Sequence, residues 1–245
     1  MQIAIHQPHY FPWLGFFDKM AKVDKFIVMD VVQLTERSNM YRNLVLSQSG
    51  AEKYLTITFE KKDYIEKAYR ELAINKSIKW QHNHRNFIKE NYRKAEFFTE
   101  VWDKISWIFE KKYDLLFEAV YDSLVVIKEM LGINTSLINQ SELIYNSNLR
   151  KSDLNLSLCM AVSADTYLSG NGARKYMNDM IFEQNGVKVV YQKFTYPTYN
   201  QINSEGFVPN LSSLDILFNC GIERTREIFW ENVKSTNEFN AEGLS

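Results

Sequence analysis

The stretch IAIHQPHYFPWLGFFDKMAKVDKFIVMDVVQ, residues 3–33, decides the predicted fold. Residues 2–5 predict a short buried strand, which begins one residue before this stretch. A turn rich in polar and aromatic residues follows the strand. A helix is predicted over residues 14–22, because its apolar residues recur at the spacing that places them on one face. A continuous apolar run then predicts a second strand over residues 26–32, of the kind that is covered on both faces.

Strand, helix and strand within about thirty residues make a βαβ unit, whose two strands run parallel. This geometry places His6 and Asp30 at the carboxyl ends of neighbouring strands. In open α/β sheets, ligands bind at that edge. The topology alone therefore predicts a site that includes these two side chains.

The composition is that of a soluble globular protein. A formal net charge of −1 argues against a general binder of duplex nucleic acid or of anionic membranes. Cys159 and Cys220 are isolated, which fits a reducing compartment better than a disulfide scaffold. Neither a secretory signal nor a transmembrane stretch is visible in the sequence, so we expect a cytoplasmic protein without membrane insertion.

The rest of the chain predicts an α/β core that is interrupted by a helical block. Residues 64–149 carry long helical patterns, and a polar connector lies at their end. The α/β pattern then returns, which assigns residues 1–63 and 150–235 to the core. Residues 236–245 have little to bury and are expected to form a flexible tail. The predicted fold class is α/β, with a parallel-sheet core and a helical block inserted mid-chain.

The turn HQPHYFPW, residues 6–13, is the first candidate site. Its two prolines fix the backbone, so we expect a stiff loop that presents His6, Gln7, His9 and Tyr10. The alternative is an aromatic plug that closes the top of the sheet. The H-x-x-H spacing is also seen in phosphate-binding turns of nucleotidyltransferases, and the βα unit resembles the HIGH-type, HUP-like nucleotidyltransferases. The glycine and the second histidine of their HxGH motif are absent here.

The segment SGNGARKY, residues 169–176, is the second candidate. Gly170 and Gly172 allow tight turns and close approach of the backbone to a ligand. We expect a helix to begin directly after them and to end at Gln184, which places Arg174 in its first turn. A cation there opposes the helix dipole and indicates a bound anion such as phosphate. The alternative is a glycine turn without a ligand.

The remaining ionisable residues give no recognisable catalytic motif. His6 or His9 could act as a general base, because histidine titrates near neutrality. Asp30 and Asp215 are isolated acids in apolar surroundings, so each either meets a ligand or caps a helix. His84 is either an interface histidine of the helical block or a group that reaches the site from it.

Five segments together resemble the WbqC-like proteins, in the same order from residue 3 to about residue 221. They are IHQPHYFPWLGFFDKM, the YRN of residues 41–43, the W-x-x-x-H of Trp80 and His84, YLSGNGARKY and FVPNLSSLDILFNCG. The chain is therefore identified as a member of that family. The resemblance implies a role in bacterial O-antigen or other surface-polysaccharide biosynthesis.

The function that this resemblance implies is transfer of a small acyl or aminoacyl group, such as glycyl, to a nucleotide-linked amino sugar. The expected partners are a dTDP- or UDP-amino sugar and an acyl donor. One alternative is a nucleotidyltransferase or ATP-dependent ligase, with ATP and Mg²⁺ as cofactors and Asp30 helping to hold the metal. Another is a non-catalytic binding protein of a polysaccharide enzyme complex. The residues expected to bind substrate are Gln7, Tyr10, Trp13, Gln33, Arg42, Asn43, His84, Tyr167, Ser169, Gly170, Arg174, Tyr199, Gln201, Asp215 and Asn219.

Overall fold

A five-stranded parallel sheet forms the centre of the computed structural model, which describes the backbone of residues 1–241 and the side chains through residue 236. The strands of the chain are β1 (Gln2–His6), β2 (Lys25–Val28), β3 (Arg42–Leu46), β4 (Glu52–Thr56), β5 (Ser136–Asn139), β6 (Thr166–Ser169) and β7 (Lys188–Tyr191). The α-helices are α1 (Leu14–Ala21), α2 (Trp80–Tyr92), α3 (Phe98–Ile105), α4 (Leu116–Met130), α5 (Lys151–Ala161), α6 (Asp179–Gln184) and α7 (Ser213–Ala241). Helix α7 is interrupted at Gly221, where φ is 77°.

The strands of the central sheet lie in the order β5-β2-β1-β6-β7. Every neighbouring pair is parallel, which confirms the βαβ unit predicted from residues 3–33. From β1 the chain builds β2 and β5 on one side, and it then crosses over to build β6 and β7 on the other. The order therefore reverses between β1 and β6, the kind of switch point at which doubly wound sheets bind ligands.

Both faces of the sheet are covered, as the continuous apolar strands predict. On one face, Ala4, Phe26 and Leu168 belong to a large core that also includes buried residues of α1, α4 and α7. On the other face, Ile5 and Ile27 belong to a smaller core with residues of α5 and α6. The carboxyl ends of β1 and β6 consequently emerge between two layers of helices.

Two parts of the predicted division of the chain differ from the structure. Strand β5 lies within the predicted helical block, yet it pairs with β2 at the edge of the central sheet. Four residues are too few to show a strand period beside a long helical pattern. At the predicted flexible tail, α7 continues to Ala241 and Thr236 is buried. Residues 242–245 lie outside the described residues.

The remaining strands and the helices in the middle of the chain lie outside the central sheet. Strands β3 and β4 form an antiparallel hairpin, and the long helical patterns predicted in the middle of the chain correspond to α2, α3 and α4. Within residues 1–241, no helix combines the length and the apolar character needed to cross a membrane.

Candidate active site

A cleft opens at the carboxyl ends of β1 and β6, where the strand order reverses. It consists of two adjoining cavities of about 690 and 490 Å³. His6, Lys19, Gly170 and Gly172 line both of them. The larger, which we call the α1 cavity, extends along α1 to the segment that follows β7. The smaller, which we call the α5 cavity, extends to the first residues of α5.

The cleft is basic, although the chain as a whole carries a net charge of −1. Five lysine and arginine side chains line it, and none of the described residues that line either cavity is an aspartate or a glutamate. The basic residues are Lys19, Arg150, Lys151, Arg174 and Lys193. A concave surface with cations and without carboxylates attracts anionic ligands.

Hydrogen bonds from other elements fix the loop after β1. Phe11 adopts a φ of 38°, unusual for a residue other than glycine. Its N–H donates to Ser123 Oγ (2.9 Å), and its carbonyl accepts from Asn43 Nδ2 and Ser212 Oγ (2.8 Å each). These bonds come from α4, from β3 and from the residue before α7. Three separate elements therefore fix the loop that carries His6 into the cleft.

The structure gives the residues of this loop two different environments. Tyr10 and Phe11 are fully buried and form the aromatic plug. His6 and Gln7 are half-buried and line the cleft. His9 lies behind His6, with the two rings 4.7 Å apart, and lines neither cavity. Burial lowers the pKa of His9 to about 3.

His6 presents an unprotonated nitrogen. Its Nδ1 lies 2.8 Å from the carbonyl oxygen of Gln7, and a carbonyl only accepts, so Nδ1 carries the hydrogen and Nε2 carries the lone pair. Among the described residues, Nε2 has no hydrogen-bond partner. Burial, followed by the charge of Lys19, lowers the pKa of His6 well below 6.5. His6 is therefore neutral at pH 7.

Lys19 was not expected in the site, yet it lies at its centre. The side chain is 2% exposed, and Nζ is 3.4 Å from the carbonyl oxygen of Ile5. Within the described part of the chain, Lys19 forms no ion pair with a carboxylate. Burial lowers its pKa from 10.5 to about 7, so Lys19, and not a histidine, titrates near neutrality. The signal that was missed is a lysine in a short, mostly apolar helix, α1, in which the residues around Lys19 are buried as well.

An aromatic wall closes one side of the α1 cavity. The rings of Trp13 and Tyr196 are stacked 5.6 Å apart, and Phe194 packs edge-on against both. Trp13 folds back so closely over Gly15 that a Cβ there would lie 2.0 Å from its ring. Gln192 fastens the wall to α1, because its Nε2 donates to the Gly15 carbonyl at 2.7 Å.

Arg174 lines the α1 cavity, but for a different reason from the predicted one. The helix expected after Gly172 is divided into a 3₁₀ turn (Asn171–Lys175) and α6, and Arg174 lies in the last turn of the former. The argument from an opposed helix dipole was therefore wrong. Instead, the guanidinium lies over the Tyr191 ring, 4.3 Å from its centroid, which positions the charge at the cavity.

The glycines of this segment leave space for a ligand. Gly170 has a φ of −68°, which any residue can adopt. A Cβ on Gly170 or Gly172 would meet no atom within 4 Å. The backbone does not require glycine at these two positions. A side chain there would instead reduce the volume of the cleft.

Asp30 takes the second of the two roles expected for a lone acid. It is fully buried and accepts hydrogen bonds from the Ser141 N–H (2.9 Å) and Ser141 Oγ (2.6 Å), so it caps the 3₁₀ turn Gln140–Glu142. Arg70 completes its environment with an ion pair of 3.2 Å. Asp30 lines neither cavity of the cleft.

The acid of the last motif also has a packing role in the structure. Asp215 is buried and accepts hydrogen bonds from Tyr92, Tyr199 and Gln201, at 2.8, 2.8 and 2.9 Å. Asn219 donates to its backbone carbonyl at 2.7 Å. This network fastens the segment before α7 to α2 and α7, away from the cleft.

Several other predicted site residues also lie outside the cleft. His84 is buried, with Tyr10 Oη 3.0 Å from its Nδ1 and the Thr56 carbonyl 3.1 Å from its Nε2, and burial lowers its pKa to about 4. Gln33 donates to the Ile65 carbonyl. Arg42 lines a separate cavity of about 410 Å³. The predicted residues that the cleft does bring together are His6, Gln7, Trp13, Tyr167, Ser169, Gly170 and Arg174.

Arg150 and Lys151 carried a signal that sequence reasoning missed. They lie a few residues before the helical pattern that starts at Leu154, so the dipole argument applied to Arg174 fits this pair instead. In the structure, Lys151 begins α5 and both side chains line the α5 cavity.

The fold and the cleft define a doubly wound α/β protein with a basic cleft at its switch point. The chain belongs to the WbqC-like protein family, whose sequence model matches residues 7–227, and this confirms the resemblance carried by the five segments. It is similar to a Mycobacterium tuberculosis (strain ATCC 25618 / H37Rv) protein named "Uncharacterized protein Rv1507c". The two are 32% identical over 224 residues, which cover 91% of this chain and 95% of the relative. No solved structure matches the chain.

Proposed function

We propose that the protein is a transferase of bacterial surface-polysaccharide biosynthesis that adds a small acyl or aminoacyl group, such as glycyl, to the amine of a nucleotide-linked amino sugar. The observation that carries this proposal is the lining of the cleft, with five basic side chains and no carboxylate among its described residues. A nucleoside diphosphate supplies the negative charge that such a lining attracts.

The α1 cavity fits the nucleotide part of this substrate. Its volume of about 690 Å³ is in the range of small-molecule sites. Trp13 and Tyr196 offer aromatic faces for a base, and Arg174 and Lys193 offer charges for the diphosphate. The amino sugar then extends toward His6, which lines both cavities.

The chemistry follows from the charge of the cleft. Basic surroundings disfavour a second cation, so they lower the pKa of a bound sugar ammonium and favour the nucleophilic amine. Nε2 of His6 accepts the proton that the nitrogen loses as it bonds to the acyl carbon. Protonated Lys19 stabilises the negative charge that develops on the acyl oxygen.

A second candidate, nucleotidyl transfer or ATP-dependent ligation, is favoured by the histidine at the end of β1 and by the reversal of strand order beside it. Its proposed metal ligand does not fit, because both carboxylate oxygens of Asp30 already accept bonds from Ser141. Within the described residues, no group of three His, Cys, Asp or Glu side chains could hold a metal ion.

Isothermal titration of the purified protein with UDP, dTDP, GDP and ATP, with and without Mg²⁺, tests the proposal. We expect UDP or dTDP to bind without Mg²⁺. Arg174→Ala should weaken that binding about 10- to 100-fold, since a hydrogen bond to a charged group contributes roughly 1.5–3 kcal/mol. Lys175→Ala is the matched control, because Lys175 is exposed and lines neither cavity.

The transfer itself is tested by mass spectrometry of UDP- and dTDP-amino sugars incubated with the protein and activated glycyl donors. His6→Gln should retain nucleotide binding and lose the added acyl mass. Binding of Mg-ATP alone would instead support the second candidate. An intact function in cells after loss of both His6 and His9 would support a non-catalytic binding protein.

A further inference from the structure

Apart from the residues that line both, the two cavities of the cleft are lined by different kinds of side chain. Arg174 and Lys193 lie only in the α1 cavity, together with the aromatic wall. Arg150 and Lys151 lie only in the α5 cavity, together with polar side chains. Since α1 and α5 pack on opposite faces of the sheet, the cleft holds two groups of cations, one on either side of the strand ends.

We propose that the α5 cavity binds the second substrate, an acyl donor that carries a phosphate group held by Arg150 and Lys151. This inference rests on the proposed function, because it assigns the donor to the part of the cleft that the nucleotide-linked sugar leaves open. The sugar amine and the acyl carbon then meet beside His6 and Lys19, which line both cavities.

Ser169 gives independent evidence that a ligand belongs in the α5 cavity. It lines that cavity, its side chain is 1% exposed, and its Oγ has no hydrogen-bond partner among the described residues. The Tyr167 hydroxyl lies nearby, but the geometry is not that of a hydrogen bond. A buried hydroxyl without a partner is unfavourable, and a polar atom of a ligand would supply the missing bond.

The backbone at the mouth of the cavity is also unusual. Lys151, the first residue of α5, has a φ of 53°, a left-handed conformation that residues with a long side chain rarely adopt. Arg150 is fixed beside it, because its Nη1 donates to the carbonyls of Ser147 (2.7 Å) and Leu149 (2.8 Å). The start of α5, an 11-residue helix, adds the positive end of its dipole to these two charges.

The cleft has a residue to receive the proton and residues to hold the leaving group that the transfer releases. The sugar nitrogen forms a bond to the acyl carbon, and the bond from that carbon to the leaving group breaks. The electron pair stays on the phosphate-bearing leaving group, which Arg150 and Lys151 hold. The proton from the nitrogen passes to Nε2 of His6.

Isothermal titration with inorganic pyrophosphate as the probe tests the two-site arrangement. Pyrophosphate should bind to protein that is already saturated with UDP or dTDP. The double variant Arg150→Ala/Lys151→Asn should weaken this binding at least tenfold and change the nucleotide Kd less than twofold. Asparagine at 151 removes the charge and tolerates a left-handed backbone. Arg174→Ala should give the opposite pattern, and Lys175→Ala should change neither Kd.

Ser169→Ala tests the same cavity without altering its charge, and it should weaken pyrophosphate binding several-fold while the melting temperature stays the same or rises, because the variant removes a buried hydroxyl without a partner. Pyrophosphate that nucleotide displaces completely, or that binds the double variant as tightly as the wild type, overturns the proposal. Acetate that binds more tightly than pyrophosphate through Arg150 overturns the assignment of phosphate. The proposed function fails separately if neither UDP nor dTDP binds, while pyrophosphate binding that depends on Arg150 would still support the α5 site.

Discussion

Replacing Lys19 with methionine should stabilise the protein. The buried amine has a pKa of about 7 in place of 10.5, so the folded state holds its proton less tightly than the unfolded chain does. At 1.36 kcal/mol for each pKa unit, a protonated Lys19 favours the unfolded chain by roughly 4–5 kcal/mol. Because repacking around the new side chain offsets part of this gain, we expect Lys19→Met to raise the free energy of unfolding at pH 7 by roughly 2–4 kcal/mol.

The pH dependence of this gain in stability shows whether the buried charge of Lys19 is its cause. Between pH 7 and 10.5 the unfolded chain binds a proton that folded Lys19 has lost, so wild-type stability rises with pH across this window. The advantage of Lys19→Met should therefore be constant below pH 7 and shrink toward zero near pH 10.5. Urea unfolding of both proteins at several pH values between 6 and 10 measures it. The same replacement at exposed Lys104 serves as the control and should change stability by about 0.5 kcal/mol or less.

A Lys19→Met protein that is no more stable than the wild type would refute the reasoning. So would an advantage that does not change with pH, because packing alone would then explain it. Binding gives a second readout. If Lys19 supplies charge to the cleft, the stabilised variant should bind UDP or dTDP at least tenfold more weakly at pH 6.

Three further predictions concern stability and space in the cleft. Because the folded pKa of His84 is about 4, the unfolded chain gains its proton first as pH falls below 6.5, so His84 alone should lower the free energy of unfolding by about 3 kcal/mol by pH 4. His6 and His9 add to this loss, because their folded pKa values are lowered as well. Urea unfolding of His84→Gln should therefore show a pH dependence that is flatter by the contribution of His84. Gly172→Val should leave the melting temperature within about 1 °C and weaken nucleotide binding at least tenfold, whereas Gly186→Val, at a φ of 73°, should cost roughly 1–3 kcal/mol without affecting binding; an equal loss of stability in both would contradict this. Asp215→Ala removes the acceptor of the Tyr92 and Tyr199 hydroxyls and one of the acceptors of Gln201, and it should cost roughly 3–5 kcal/mol, while Arg174→Ala should change stability by about 0.5 kcal/mol or less in the same melts.

The central part of the fold was predictable because local signals and topology agree there. An apolar strand, a helix with one apolar face and a second apolar strand leave little choice except a parallel pair whose first strand ends at His6. Strand β5 was missed because its position depends on pairing with β2, a long-range contact that four residues do not encode. The division of residues 171–184 into a 3₁₀ turn and α6 was missed because the sequence pattern does not show where a helix breaks.

The site was harder to predict, because residues that line the cleft and residues that only hold the fold together occur in the same motifs. In the first motif, His6 lines the cleft while its neighbours Tyr10 and Phe11 fill the core. The last motif supplies Asp215, whose bonds hold the chain together away from the cleft. Motif membership marks residues that matter, but it does not separate a residue that binds a ligand from one that positions a loop. That distinction depends on burial and on hydrogen-bond partners, which only the three-dimensional structure supplies.

Two buried polar residues of the cleft differ from the two buried acids in how far the folded protein satisfies them. Asp30 and Asp215 are buried, and bonds from neighbouring side chains satisfy them, so the folded protein itself accounts for their presence. Lys19 and Ser169 are just as buried, yet among the described residues the lysine forms no ion pair with a carboxylate and the serine Oγ has no hydrogen-bond partner. Each costs stability in the free protein, and both line the same cleft. An anionic ligand would supply what both of them lack, and this shared need is the strongest physical argument that the cleft is a binding site.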